Sequence, residues 1–388
     1  MSTTSEARAI AFGRPWITDA DRAAVLAVLN GPILTHGPEG KAFEEDFAAW
    51  TGGGRAVTVS SCMAALHLAY LACGVGPGDE VLVPAETHTA TAHAVEWTGA
   101  TPVFVDCDPA TGNVTAAAVE AAITPRTKAV AVVHFVGIPC DMPAICRVAT
   151  AHGLKVIEDC ALALGARFDG THVGLFGDAG CFSFYPVKHI TTGEGGMFLS
   201  RDPSIADRVA RLRAFGVDRT HAERKIPGMY DVPTLGLNYR MSEMQAALGR
   251  AQLRRADEIL RRRAQNFHTI ARGLASVPGI RIIDAAGSQA SSSHYCATVA
   301  LPPEAAGARD TMVTRLNEAG VGTSVHYPQP VPRMTYYRDK YGYQPAAYPG
   351  ATAVSDHSFA LPVAPHVTDE DAEYIVEAVR RAAAGAGA

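Results

Sequence analysis

Seven short runs between residues 55 and 200 decide the fold: RAVTVS (55–60), EVLVPA (80–85), TPVFVDCD (101–108), KAVAVVHF (128–135), KVIEDC (155–160), CFSFY (181–185) and MFLS (197–200). All are rich in the β-branched and aromatic residues that suit a pleated, buried strand. Between them, Ala64 to Leu71, Thr115 to Ala122 and Met142 to His152 are Ala-rich with apolar residues at helical spacing. Strands alternating with helices imply a mostly parallel, seven-stranded sheet with helices on both faces, because parallel neighbours need a crossover. Ligands of such sheets sit at the carboxyl ends of the strands.

Outward from this core, residues 241–275 (MSEMQAALGRAQLRRADEILRRRAQNFHTIARGLA) form a long helical tract whose arginines read as a solvated face. Beyond Pro278 come strand-like pieces, GIRIID (279–284), HYCATVAL (294–301) and VGTSVHY (321–327), and a last helix from Asp369 to Ala384. The expected organisation is a large domain over 1–260 with an N-terminal arm, and a smaller α+β domain over 261–388. No internal repeat is visible, and the AAAGAGA tail is low in complexity and expected to fray.

Composition narrows the class. Of 388 residues, 48% are hydrophobic and 19% charged, as in a packed globular protein. With 34 Lys and Arg against 39 Asp and Glu, a formal charge of −5 gives no basis for binding nucleic acid or an anionic membrane. Small-molecule partners are expected. Cysteines at 62, 73, 107, 140, 146, 160, 181 and 296 form neither a CxxC pair nor zinc spacing, and read as reduced, mostly buried thiols. The opening MSTTSEARAIAFGRPW has no charged region followed by an apolar one, and no run approaches the roughly 20 apolar residues of a membrane span. A cytoplasmic location is the expectation.

Pyridoxal-phosphate (PLP) chemistry asks for an amine to form the imine, a carboxylate at the pyridine nitrogen, an anion site and a face to stack the ring. Lys188, in GCFSFYPVKHITTGEGGMF, follows an apolar run and precedes a turn rich in Thr and Gly, a setting that can desolvate an amine into a nucleophile. Asp159 closes KVIEDC, where it either meets the pyridine nitrogen or caps the next turn. Ser60 and Ser61 precede a helix whose free N–H groups either receive a phosphate or are simply capped. Ser183 adds a hydroxyl if it shares a bend with Lys188. His88, after EVLVPA, either stacks on a cofactor or is structural.

Together these segments resemble the DegT/StrS-type sugar aminotransferases, which are fold-type I PLP enzymes. The likeness runs nearly end to end: THGPEGKAFEEDFAAWTG, SSCMAALHLA, VLVPAETHTATAHAV, VHFVGIPCDM, EDCALALGA, FSFYPVKHITTGEGGM, LGLNYRMSEMQAALG and VHYP. The resemblance implies that Lys188 is the Schiff-base lysine and the acid/base of proton transfer, and that Asp159 pairs with the pyridine nitrogen. It further implies that Ser183 and the backbone of Cys62 and Met63 hold the phosphate, and that His88 stacks on the ring. Asn238 matches a residue that reaches the phosphate from the partner subunit, which implies an obligate homodimer with its active site at the interface. His326 and Thr35 are placed near the substrate. Arg240 either binds an anionic group or supports Asn238.

Three departures from the family pattern involve four positions. Cys62-Met63 stands where Gly-Thr is usual, which removes a hydroxyl from the phosphate site. Leu162 replaces the Gln or His that contacts the ring hydroxyl, and His88 replaces a Phe or Trp at the stacking position. The implied reaction moves an amino group from L-glutamate through pyridoxamine phosphate (PMP) to a nucleotide-diphosphate-linked 4-keto-6-deoxyhexose. A 3-keto sugar follows as acceptor, and then a keto-cyclitol served by glutamine. A PLP-fold dehydratase would carry His in place of the lysine, and His189 is offset by one residue. A non-enzymatic regulator of the same fold would not need Lys188 and Asp159 intact.

Overall fold

The computed structural model describes residues 8–218, 226, 228–285, 287–302 and 307–384. Nine strands precede residue 201: β1 (Arg55–Val59), β2 (Glu80–Pro84), β3 (Thr101–Val105), β4 (Thr127–Val133), β5 (Lys155–Asp159), β6 (Arg167–Phe168), β7 (Thr171–His172), β8 (Ala179–Ser183) and β9 (Gly196–Ser200). Seven make the central sheet in the order β1-β9-β8-β5-β4-β2-β3. The pairs β2–β3, β2–β4, β4–β5 and β5–β8 are parallel. Only β9 runs against its neighbours, β1 and β8. This is the mostly parallel sheet expected from the seven runs, in the fold-type I architecture that the family resemblance implies.

Helices bury both faces of the sheet. On one, Leu66 and Tyr70 of the helix Cys62–Ala72 and Val209 of Pro203–Leu212 pack against Val57, Val83 and Ile157. On the other, Val119 and Ile145 cover Leu82, Val130 and Val156, while Phe43, Phe47 and Leu253 cover Phe182, Met197 and Leu199. Each such side chain contributes about 1.5–3 kcal/mol on burial. Apolar residues on both faces explain why these strands read as continuous hydrophobic runs.

The C-terminal lobe is built on the antiparallel strands β10 (Arg281–Ile283), β12 (Ala297–Ala300) and β13 (Ser358–Leu361), while β11 (Ala290–Ser291) joins β6 and β7. Met312, Leu316, Ile375 and Val379 close its core, with Ile10 from the N-terminal segment. The helix Ala256–Leu274 serves both lobes, sending Ile259 into the large core and Phe267, Ile270 and Leu274 into the small one. The expected boundary at 260/261 falls inside it.

Two expectations are corrected. VGTSVHY is not a strand: only Val321 and Ser324 form isolated bridges, to Ile10 and Ala360. Its backbone leaves the sheet to reach the large lobe, where the Tyr327 N–H donates to Glu86 Oε1 at 2.9 Å. The tract 241–275 divides into Glu243–Leu253 and Ala256–Leu274. Arg255 stands at the break, its Nη2 donating to Asp21 Oδ2 at 2.7 Å and to the Trp16 carbonyl at 3.2 Å. Nor are all of its arginines solvated, since Arg263 is buried.

Candidate active site

Because β1, β2, β4, β5 and β8 run the same way, their carboxyl ends share one edge of the sheet. That edge collects Ser61, His88, Asp159 and Ser183, with Lys188 in the turn beyond β8. Strand alternation divides the two acids of KVIEDC between opposite faces. Glu158 turns to one face and accepts from His134 Nε2 (3.1 Å) and from the N–H groups of Gly174 (2.6 Å), Phe176 (2.9 Å) and Gly177 (2.7 Å). It is a structural anchor. Asp159, 5% exposed, faces the helix Cys62–Ala72 instead. Its Oδ2 accepts from Thr91 Oγ1 at 2.8 Å and its Oδ1 from the Ala161 N–H at 3.0 Å.

Lys188 follows a backbone turn in which its N–H donates to the Tyr185 carbonyl at 2.9 Å. The Thr-Gly segment after it is self-bonded: the Thr191 hydroxyl donates to Phe184 O (3.0 Å), Thr192 Oγ1 to Glu194 O (2.7 Å), and the Gly193 N–H to Thr191 Oγ1 (3.0 Å). Such a turn fixes the lysine's path. Its amine lies 5.1 Å from the centre of the Tyr295 ring. Burial of the amine draws its pKa down to about 8, against the opposing pull of Cys62 and Asp159.

At the end of β1, Ser61 caps the helix Cys62–Ala72 by accepting from the Ala64 N–H at 3.1 Å. The first N–H groups of a helix have no partner within it. A Cβ on Gly196 would come within 2.5 Å of the Ser61 carbonyl carbon and 2.7 Å of Cys62 N, so only glycine lets β9 begin beneath this helix end. The Cys62 thiol turns inward, 3.4 Å from the Cys181 carbonyl and 3.8 Å from Asp159 Oδ1. Ser183 Oγ accepts from the Tyr185 N–H at 3.4 Å, on the bend shared with Lys188.

Above this edge, His88 caps the helix Thr89–Glu96 through Nδ1, which accepts from the Ala90 N–H at 3.1 Å, and its ring is exposed. Partial burial lowers its pKa. Tyr327 meets that ring edge-on at 5.8 Å. His326 lies 5.5 Å from Tyr295 and 5.6 Å from Phe12, with Nδ1 buried and unpartnered. Burial, helped by Lys188 and His88, takes it down to about 3. Leu162 is buried, and His189 points elsewhere, its Nε2 3.1 Å from the Ser293 carbonyl.

The remaining expected residues lie apart. No hydrogen bond or ring contact joins Thr35, Asn238 or Arg240 to Lys188 or Asp159 among the described residues. Thr35 is exposed next to Leu34, whose carbonyl accepts from the Glu243 N–H at 2.9 Å. Asn238 is exposed and bridges Ala214, while the neighbouring Tyr239 carbonyl accepts from the Ser60 N–H at 2.8 Å. Arg240 stacks over the Phe215 ring at 4.8 Å. The sequence reading missed Thr91, Tyr295, Tyr327 and the buried Glu86. Only Thr91 carried a local signal, one helical turn after Thr87 and bonded to it at 2.8 Å.

A desolvated amine in the turn beyond β8 and a fixed carboxylate at the end of the adjacent β5, beside a helix amino end cleared by a glycine, fit PLP. With this sheet order they define a fold-type I aminotransferase. The model of the DegT/DnrJ/EryC1/StrS aminotransferase family matches residues 15–380, and the chain belongs to that family. It is 38% identical over 380 residues to the spore coat polysaccharide biosynthesis protein SpsC of Bacillus subtilis, covering 97% of each chain. Among solved structures it resembles the aminotransferase TlmJ from Streptoalloteichus hindustanus, at TM-score 0.90 and 35% identity over 97% of this chain and 99% of that one. It also resembles a sugar aminotransferase, Spr1654 of Streptococcus pneumoniae, in its PMP-form, at TM-score 0.92 and 29% identity over 97% and 100%. The protein is therefore a PLP-dependent sugar aminotransferase of amino-sugar biosynthesis.

Proposed function

We propose that it transfers an amino group from L-glutamate to a nucleotide-diphosphate-linked keto-deoxysugar, a 4-keto-6-deoxyhexose. The observation that carries this reading is the convergence of Lys188 and Asp159 at neighbouring strand ends. When bound, PLP supplies the electron sink that stabilises charge at the donor's α-carbon. Asp159, locked by Thr91 and Ala161, would hold the proton on the pyridine nitrogen. Lys188, with a pKa near 8, is neutral often enough at pH 7 to attack a carbonyl carbon and to carry a proton between two carbons. Ser183 and the N–H groups of Cys62 and Met63 would take the phosphate, and the open ring of His88 would cover one face of the cofactor. His326, neutral through the working range, would act toward the sugar as a hydrogen-bonding group.

A second copy of the chain completes the site in this reading. Exposed apolar residues flank the expected residues that make no hydrogen bond or ring contact with Lys188 among the described residues: Ile33 and Leu34 beside Thr35, and Phe215 and Leu235 around Asn238 and Arg240. A homodimer would cover them and bring Asn238 to the partner's phosphate. We also propose the division 1–260 and 261–388 for the two domains. No helix among the described residues is long and apolar enough to cross a membrane. Eight free thiols fit a reducing cytoplasm.

Absorbance of the purified protein tests the reading. A band at about 410–430 nm that moves to about 330 nm with L-glutamate is expected, and the nucleotide-linked keto sugar that restores it names the acceptor. No band after adding PLP would sink the assignment of Lys188. Recovery by a keto-cyclitol alone would overturn the sugar.

A further inference from the structure

Arg263 occupies a place where arginine is costly. It is 3% exposed, its Nη1 donates to the Tyr295 carbonyl at 2.9 Å, and its Nε has no partner. Among the described residues no carboxylate forms an ion pair with it. A buried charge without a counter-ion destabilises a fold. Burial draws its own pKa down to about 10.

It shares a ring neighbour, Tyr295, with the active-site lysine. The guanidinium carbon lies 5.9 Å from the centre of the Tyr295 ring, and Lys188 Nζ lies 5.1 Å from the same centre. One ring is thus shared by two cationic groups, and charging both raises the energy of each. The other groups around the amine are Asp159 and the thiols of Cys62 and Cys296, which favour its charge, and His88, His189 and His326. Burial lowers the pKa of all three histidines. Arg263 supplies the fixed positive charge.

We propose that Arg263 is a positioning residue for the transamination: its uncompensated charge, set against the Tyr295 ring, adds to burial in keeping the Lys188 amine neutral and so able to attack and to carry a proton. This rests on the reading of Lys188 given above. Sequence alone hides it, because Arg263 sits in an arginine-rich helix and Tyr295 in a strand-like run.

The test is the pH dependence of Lys188 acetylation by acetic anhydride, followed at that residue by mass spectrometry in the full-length protein freed of cofactor. The expected midpoint is near pH 8 in the unaltered protein. Arg263→Gln keeps a donor for the Tyr295 carbonyl but removes the charge, and should move the midpoint up by about one pH unit, with about tenfold less labelling at pH 7. Arg263→Met gives the same comparison should the glutamine variant unfold. A lower melting temperature with an unmoved midpoint would overturn the proposal and leave Arg263 purely structural. Borohydride reduction in the presence of PLP, followed by peptide mapping, separates the two claims: label on a lysine other than 188 ends the Schiff-base reading without touching the acetylation result.

Discussion

Lys188 and Asp159 differ in what each can lose. Lys188→Ala should remove the visible absorbance and the turnover together, with the melting temperature little changed, because both need that amine. Turnover that survived would mean another lysine does the chemistry. Asp159→Ala should keep the fold and cost several orders of magnitude in kcat, as the pyridine nitrogen loses its counter-charge. Thr91→Val should be milder, about tenfold in kcat, the value of one hydrogen bond of roughly 1–1.5 kcal/mol holding the carboxylate. An unchanged rate would show that Ala161 alone suffices to orient Asp159. Lys188 was legible because an apolar run and a Thr-Gly turn bracket it in sequence. That Asp159 emerges at the strand end was also legible, while its proposed role came only from the family resemblance. The structure adds the reason, since Glu158 on the opposite face is saturated by three backbone N–H groups and His134.

At the scale of elements, the least legible contact is the one that joins the lobes. Glu86, 0% exposed at the end of β2, accepts from the Tyr327 N–H and, at 2.5 Å, from the Ser355 hydroxyl. Its partners are more than two hundred positions away in the chain, so no local pattern announces them, and VGTSVHY reads as a strand. Burial raises the Glu86 pKa to about 8, although both hydrogen bonds pull it down. A carboxyl raised on folding binds more protons in the folded state, so its contribution is full below the ordinary carboxylate range and is lost as pH rises through 8. Glu86→Gln should therefore gain on the unaltered protein between pH 5 and pH 9, seen as a melting-temperature difference that shifts in the variant's favour. A difference constant with pH would mean Glu86 does not titrate there.

For the whole molecule, the seven-strand sheet was readable because its strands are buried on both faces and look alike. The small lobe was less so, since its short strands β10 and β12 are antiparallel and mixed in composition. The proposed assembly has only an indirect trace in one chain, in the apolar residues it exposes. Leu235 is 91% exposed, with Phe215 nearby. If the proposed homodimer forms through this patch, Leu235→Asp should convert it to monomer in sedimentation and lower activity through loss of the Asn238 contribution proposed for the partner, while a dimer of unchanged affinity would place the interface elsewhere.

The reversed strand β9 has a consequence for synthesis. β1 leaves the ribosome first, yet its only neighbour in the sheet is the last strand of that sheet to be made. At about 5–20 residues per second, the backbone of β1 waits on the order of ten seconds or longer for its strand partner. The sheet cannot close cotranslationally before Ser200 has emerged, and a nascent chain halted short of Gly196 would present an open apolar edge to chaperones or to other chains.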